Sequence, residues 1–215
     1  MRARTLEELI AEVDRDLAWR KKELSALRFV VEKSKKPVRT FLIRAAVALL
    51  YAHWEGFVKD AAGRYLRFVS MRRLSYSDLS PPFAALGIRN EARLLVNSVD
   101  PEDYILRYQA FVQRQADPSA LPQDGVIETG SNLNYQHFRR ILSTIGIDCA
   151  QYQTRQAMID ERLLARRNGI AHGDQVRPEL GDYTELHDAV IDMLSKLREQ
   201  IADAATAGAY RRAHA

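Results

Sequence analysis

Cysteine is almost absent from this sequence, and other features that define common protein classes are missing as well. The single cysteine, Cys149, excludes an internal disulfide and a multi-cysteine metal site. No apolar run approaches the ~20 residues that cross a bilayer. The first eight residues also lack the apolar core of a signal peptide. We therefore expect a cytoplasmic protein that does not associate with a membrane.

Motifs for several kinds of catalysis are missing too. The sequence contains no glycine-rich phosphate loop, no dinucleotide fingerprint and no zinc-spaced set of cysteines and histidines. It contains no nucleophile elbow either. We predict that the protein uses neither a metal ion nor an organic cofactor.

The composition is that of a folded protein with one core. Hydrophobic residues make up 47% of the chain and charged residues 28%, which is typical of globular domains. A chain of 215 residues is long enough to bury one large core. We predict a single domain that covers residues 1–215.

Apolar residues recur at helical spacing through most of the chain. Thr5 followed by Glu8 predicts a capping box that begins a first long helix. Pro37 favours the first turn of a second helix, which extends to about Met71 and is apolar over the wide face typical of the central helix in a bundle. Further helices are predicted over residues 89–96, 104–116, 135–145 and 156–168. Because no strand-like alternation occurs, the predicted fold is all-α.

Three features near the middle and the end of the chain complete this prediction. Residues 74–130 contain several helix breakers and are predicted to form an insertion between the N-terminal helix pair and the later helices. The last helix is predicted to begin at Asp182, with Glu185 completing a second capping box. The alanine-rich residues 204–215 are predicted to form a frayed tail.

The net charge of +4 is unevenly distributed along the chain. Residues 1–75 carry 17 Lys/Arg against 9 Asp/Glu, whereas residues 76–215 carry 15 against 19. The densest basic cluster consists of Arg28, Lys33, Lys35, Lys36, Arg39 and Arg44. Such a cluster can hold phosphates and steer nucleic acid to the surface. A solvated connection between two helices explains the same residues, and from the charge pattern alone we favour that interpretation.

One short stretch places an arginine and a histidine at the end of a predicted helix. Arg167 and His172 are separated by four residues, and the polar Asn168 follows the arginine. Gly169 is expected to loosen the backbone, and Gly173 can take the positive φ that ends the turn. The guanidinium and the imidazole could therefore reach the same anion.

An arginine and a histidine without a metal suit RNA cleavage in which the ribose 2′-OH attacks the neighbouring phosphate. That reaction needs a base, an acid and fixed positive charge at the phosphate. His172 would transfer protons, Arg167 would hold the phosphate, and Asn168 would orient the backbone or the scissile group. Arg166 is a candidate helper, although its position about 100° around the helix turns it towards solvent. Because one motif supplies one histidine, a two-fold dimer with two motifs face to face would complete the site.

A structural role explains the same residues without catalysis. His172 could cap the preceding helix at its terminal carbonyls, and Arg167 could pair with Asp160, Glu161 or Asp174. The bare spacing is a weak signal, because a chain with this many arginines contains it by chance about half the time. From these residues alone we favour the structural role.

The segment Arg-Asn-Gly-Ile-Ala-His-Gly at 167–173 resembles the signature of the HEPN superfamily (higher eukaryote and prokaryote nucleotide-binding domains). That signature is an arginine, a polar residue, three or more further residues and a histidine. The run Ala-His-Trp-Glu-Gly-Phe-Val-Lys at 52–59 and the run Gly-Ser-Asn-Leu-Asn at 130–134 extend the resemblance. Together they are similar to the ribonuclease-like branch associated with toxin–antitoxin and defence loci. The resemblance implies a HEPN-like helical bundle with a long central helix.

The resemblance also implies a function. HEPN ribonucleases act as dimers with a composite site at the interface, so Arg167, His172 and Asn168 are the expected catalytic residues. Additional RNA contacts are expected from Arg166, Lys33, Lys35, Lys36 and Arg39. The expected partners are RNA, a second copy of the chain, and an antitoxin or another operon-encoded protein. Because some HEPN proteins keep the fold without catalysis, a non-catalytic interaction or nucleotide-binding module is the second hypothesis.

Overall fold

The computed structural model describes residues 4–213, and these residues fold into eight α-helices. The helices are α1 (Leu6–Lys33), α2 (Val38–Met71), α3 (Pro81–Gly87), α4 (Arg89–Val96), α5 (Pro101–Gln113), α6 (Tyr135–Thr144), α7 (Arg166–Ala171) and α8 (Leu180–Thr206). Short 3₁₀ segments cover Tyr76–Asp78, Arg114–Ala116 and Ala150–Arg155, and a π-helical segment, Met158–Ala165, leads directly into α7. No β-strand forms within the described residues, which confirms the predicted all-α fold.

The central helix of the bundle is α2, which packs against both α1 and α8. It contributes many of the largest side chains of the core, namely Tyr51, Trp54, Phe57, Tyr65 and Phe68. Within residues 4–213, α2 is also the one helix long and apolar enough to cross a bilayer, with a mean hydropathy of 1.3 over 18 residues. Half of that window is buried inside the structure. Its central position in the bundle accounts for its apolar character.

Local signals begin or end several helices where they were predicted. The Oγ1 of Thr5 accepts a hydrogen bond from the Glu8 N–H, and the Glu8 carboxylate accepts one from the Thr5 N–H, both at 3.2 Å. This reciprocal pair confirms the capping box at the start of α1. The end of α2 at Met71 and the bounds of α4 also agree with the predictions.

Residues 74–130 contain three helices, of which α4 and α5 were predicted and α3 was not. Pro81 and Pro82 count as helix breakers in the sequence, but they occupy the first turn of α3. A missing N–H removes no helical hydrogen bond at that position. Phe83 and Leu86 of α3 are buried, whereas α4 and α5 bury no residue. The segment is anchored by α3 together with the buried Tyr76, Leu79 and Leu121, and its α4–α5 part lies on the surface.

The start of α8 differs from the prediction. The helix begins at Leu180 with Glu179 as its N-cap, and the cap has no side-chain hydrogen bond. The Glu185 carboxylate accepts two hydrogen bonds from the Arg162 guanidinium, each 2.8 Å long. The predicted capping box is therefore wrong, because Asp182 lies within the first turn of α8 and the Glu185 carboxylate binds Arg162 instead.

The chain after α8 is packed against the bundle and is not frayed over residues 204–213. Tyr210 is 6% exposed, and its ring centroid lies 5.9 Å from that of Phe68. The Tyr210 carbonyl accepts a hydrogen bond of 2.8 Å from the Ser80 N–H, and the Asp78 carbonyl accepts one of 2.7 Å from the Arg212 N–H. Alanine-rich composition suggested fraying, but these tertiary contacts hold the segment. Residues 214 and 215 of the predicted tail lie outside the described residues.

Candidate active site

The motif lies on a helix that begins in an unusual geometry. The π-helical segment Met158–Ala165 precedes α7, and Met158, Ile159 and Leu163 are buried in it. Single stretches of π-helix inside longer helices occur frequently at functional sites. Arg167 stands in the first turn of α7, and the helix continues through Gly169 to Ala171. The predicted end at Asn168 is therefore three residues too early.

Gly169 is needed for close packing and not for flexibility. It is helical, and a Cβ atom built on it would lie 2.8 Å from the Val176 side chain and 3.2 Å from that of Asp174. The loop after the motif therefore folds back over this glycine. Gly173 has a φ of +86°, as predicted, and it ends the helix in a Schellman arrangement. In that arrangement the Asp174 N–H donates to the Gly169 carbonyl at 2.8 Å, and the Gly173 N–H donates to the Ile170 carbonyl at 3.2 Å.

His172 is the C-cap residue of α7, and its side chain is exposed to solvent. Its backbone N–H donates a 2.9 Å hydrogen bond to the Asn168 carbonyl. Within the described part of the chain, its imidazole makes no hydrogen bond or ion pair. Backbone groups satisfy the helix end, so a side-chain cap by His172 is not observed.

Arg167 is held by three neighbouring groups. Its Nη1 donates a 2.8 Å hydrogen bond to the Asn168 Oδ1, and its Nη2 lies 3.8 Å from the Glu55 Oε2. Its Cζ lies 4.0 Å from the centroid of the Tyr51 ring, a cation–π contact. The Arg167 and Glu55 side chains are each 24% exposed. The ion-pair partner is thus Glu55 of α2 and none of the three nearby acids considered from the sequence.

Tyr51 connects this cluster to the segment before α6. Its hydroxyl accepts a 2.6 Å hydrogen bond from the Leu133 N–H. Burial raises the pKa of Tyr51 to about 12, and the nearby Glu55 carboxylate acts in the same direction. The phenol therefore stays protonated at neutral pH and serves as a platform under the guanidinium, not as a base.

These contacts bring together the three runs that carry the family resemblance. Glu55 belongs to the run 52–59, Leu133 to the run 130–134, and Arg167 to the run 167–173. The protein-family model described as MAE_28990-like HEPN matches residues 9–210. The chain belongs to the HEPN superfamily. No curated protein and no solved structure matches it.

In this HEPN protein the loop after the motif is tied to α2 by Arg44. The Arg44 Nη1 donates to two carbonyls of that loop, Asp174 at 2.6 Å and Val176 at 2.9 Å. Arg44 belongs to the basic cluster of residues 28–44, which is a candidate phosphate-binding site in the sequence. Its guanidinium instead holds the segment that follows His172.

The remaining residues of the basic cluster have different surroundings. Lys33, Lys35 and Lys36 are exposed, and none of them forms an ion pair within residues 4–213. Arg39 is half-buried, and its Nε donates a 2.7 Å hydrogen bond to the Ser34 carbonyl between α1 and α2. Arg28 pairs with Glu32 and Asp188. The three lysines are thus the accessible charges of this cluster.

Arg166 does not point to solvent as expected. Its side chain is 24% exposed, and its Nη2 lies 3.4 Å from the Asp182 Oδ2 at the start of α8. Its Nη1 is buried and has no hydrogen-bond partner in the described part of the chain. Arg166 therefore joins α7 to α8, and a direct contact with RNA stays a prediction.

Sequence reasoning missed the two α2 residues that hold Arg167. Tyr51 and Glu55 are four positions apart, so they lie on the same face of α2 one turn from each other. The one sequence signal that could have indicated Glu55 is its position within a run that carries the HEPN resemblance. Their partner is more than 110 positions later in the chain, and the sequence contains no local pattern that joins them.

Proposed function

We propose that this HEPN protein is a metal-independent endoribonuclease that cleaves RNA by attack of a ribose 2′-OH on the neighbouring phosphate. The observation that carries the proposal is the contrast between the two motif side chains. Arg167 is held by Asn168, Glu55 and Tyr51, whereas the His172 imidazole is exposed and unpartnered among the described residues. A fixed cation and an exposed proton carrier, supplied by one short motif, are the groups that this reaction needs.

The proposed reaction uses two imidazoles. One takes the proton of the 2′-OH as its oxygen attacks phosphorus. The bond from phosphorus to the 5′-oxygen breaks, and the second imidazole donates a proton to that oxygen. The products are a 2′,3′-cyclic phosphate and a 5′-hydroxyl.

Arg167 would stabilise the charge that builds up on the phosphate oxygens. A guanidinium has five N–H donors, and in this structure the Asn168 amide oxygen accepts from Nη1. The Glu55 carboxylate, at 3.8 Å, is beyond hydrogen-bond distance, so donors remain for a phosphate. Asn168 therefore acts as a positioning residue: its side chain orients Arg167, and its carbonyl accepts from the His172 N–H.

A dimer supplies the second imidazole, because each chain has one motif. We expect light scattering to give twice the 24.5 kDa mass of one chain, and a mass of one chain at micromolar concentration would count against the composite site.

The variant His172→Cys tests the geometry of the dimer directly, since two facing motifs should form an intermolecular disulfide. Thr206→Cys is the matched control, because Thr206 is exposed at the far end of α8, about 40 Å from its start.

Cleavage should not depend on a divalent ion. Imidazole and guanidinium groups supply the acid, the base and the positive charge, so the rate in EDTA should equal the rate in Mg²⁺. The measurement is the initial rate of cleavage of a labelled single-stranded RNA after dialysis against EDTA. Activity that disappears and returns with Mg²⁺ or Mn²⁺ would overturn the proposed mechanism.

A non-catalytic interaction module is the second candidate function, and the surface of α4 and α5 favours it. Eight large apolar side chains are exposed there: Leu94, Val96, Val99, Tyr104, Ile105, Leu106, Tyr108 and Val112. Exposed apolar surface of this extent is typical of protein–protein contacts. A partner such as an antitoxin would also be compatible with a ribonuclease that acts as a toxin or defence effector. The effect of replacing His172 on RNA cleavage separates the two functions.

A further inference from the structure

A groove lies where the connection between α1 and α2 meets the loop between His172 and α8. Its volume is about 480 Å³. We call it the turn groove, and its polar and aromatic lining consists of Lys36, Arg39, Thr40, Phe41, Arg177 and Glu179. None of these residues belongs to the cluster around Arg167, so the groove is a separate feature of the surface.

The charge in the turn groove favours an anion. Lys36, Arg39 and Arg177 face a single carboxylate, Glu179. Lys36 and Arg177 are exposed and form no ion pair in the described part of the chain. The exposed Lys33 and Lys35 extend the same charge along the turn. A ligand with several phosphates in a row matches this arrangement better than one with a single negative charge.

An exposed aromatic side chain stands among these cations. Phe41 is 68% exposed and lines the groove, and Ile43, which is 3% exposed, also contributes to the lining. Nearby, Phe29 is 61% exposed and has the Lys33 Nζ 5.8 Å from its ring centroid. Basic grooves with exposed aromatic rings bind single-stranded nucleic acid, because phosphates pair with the cations and bases stack on the rings.

A second copy of the chain fits this surface less well. Lysine is depleted in the buried core of protein–protein interfaces, and ordering its flexible side chain on burial costs entropy. Lys33, Lys35 and Lys36 would all have to be covered together with Phe41. Single-stranded nucleic acid avoids this cost, because its unpaired bases stack on the aromatic ring while the lysines stay in contact with phosphates and solvent.

The turn groove is close to the proposed cleavage site. Arg177 follows His172 by five residues, a stretch that spans at most about 18 Å. Arg44 holds the Asp174 and Val176 carbonyls of this stretch against α2. The loop is therefore a fixed connection between the motif and the groove.

We propose that the turn groove binds the single-stranded RNA that flanks the scissile phosphate, with Phe41 stacked on an unpaired base and Lys36 and Arg177 on phosphates. This inference rests on the proposed ribonuclease function for the identity of the scissile phosphate. RNA binding to the groove can nevertheless be measured without cleavage.

The test uses the chain of residues 1–215 and a short fluorescent oligouridylate with 2′-O-methyl groups, which lacks the attacking hydroxyl. We expect Phe41→Ala to raise the dissociation constant about 5- to 150-fold, the range found when the stacking of one base is removed. Lys36→Ala combined with Arg177→Ala should reduce the slope of log K against log salt by about 1.4, because each cation that pairs with a single-strand phosphate accounts for about 0.7. A fully paired RNA should show no effect of Phe41→Ala. Lys59→Ala is a matched control for the loss of a cation, because this lysine is exposed outside the groove.

The outcomes separate this inference from the proposed function. Groove variants that bind the probe with the wild-type dissociation constant and salt slope would overturn the groove proposal, even if cleavage depends on His172. A wild-type protein that does not bind the probe would also overturn it. If the groove variants bind the probe more weakly but the wild-type protein cleaves no RNA, the groove proposal is supported and the ribonuclease proposal is rejected. If the groove variants lose binding to phosphatidylserine vesicles but bind RNA like the wild type, the groove binds a membrane surface and the RNA proposal is wrong.

Discussion

Replacing His172 with alanine is expected to lower the rate of RNA cleavage by about 10²–10⁴-fold, the usual contribution of a general acid or base. The fold and the dimer should persist, because the imidazole is exposed and the cap of α7 uses the backbone of residue 172. Single-turnover cleavage of a labelled RNA measures the rate. Thermal unfolding of the same variant measures its stability.

A matched control and a clear contrary result accompany this variant. Gln175→Ala removes another exposed side chain from the same loop and should cleave at close to the wild-type rate. A structural role for His172 predicts the opposite pattern, with a lower melting temperature and no specific loss of activity. If His172→Ala cleaves RNA as fast as the wild type, the ribonuclease proposal fails and the interaction module becomes the better function.

Replacing Arg167 is expected to produce the second large effect. Arg167→Ala should lower the cleavage rate by about 10²–10³-fold, comparable to the loss of one preorganised donor to a developing oxyanion. Arg167→Lys should restore little activity, because an ammonium group cannot reproduce the planar fork. Both variants remove the guanidinium that donates to Asn168 and lies over the Tyr51 ring. A modest fall in melting temperature should therefore accompany the loss of rate.

Two comparisons separate catalysis from stability at Arg167. Glu55→Gln keeps the shape of the partner but removes its charge, and it should change the rate far less than Arg167→Ala if the guanidinium acts on the phosphate. The double variant of Arg167 and His172 should lose much less than the product of the two single losses, as expected for groups in one catalytic unit. Arg167 variants that unfold at lower temperature but cleave at the wild-type rate would assign the residue to structure alone.

Signals that act over a few residues were reliable guides to the helices. The capping box of Thr5 and Glu8 and the breaks around α4 are local, and the structure has them where they were predicted. Local signals failed where a distant residue competes for the same group. Glu185 was expected to cap α8, but it pairs with Arg162 because the two helices are neighbours.

The motif shows the same division. Arg167, Asn168 and His172 were selected through their resemblance to the HEPN signature, and the positive φ at Gly173 followed from the chemistry of glycine. The role of Gly169 was misjudged, because the returning loop with Val176 that requires its missing Cβ is a tertiary feature. The expected exposure of Arg166 was also wrong, because the start of α8 lies beside it.

The sequence alone determined the all-α class, the HEPN resemblance and the residues of the motif. Helical periodicity and short-range spacing are properties of residues that are close together in the chain. The partners of those residues depended on the tertiary structure. Packing of α2 against α7 places Glu55 and Tyr51 around Arg167, and packing of the C-terminal segment on Phe68 buries Tyr210. Such pairings join residues far apart in the chain, and the energy that selects them comes from burial of the whole core, which no local pattern records.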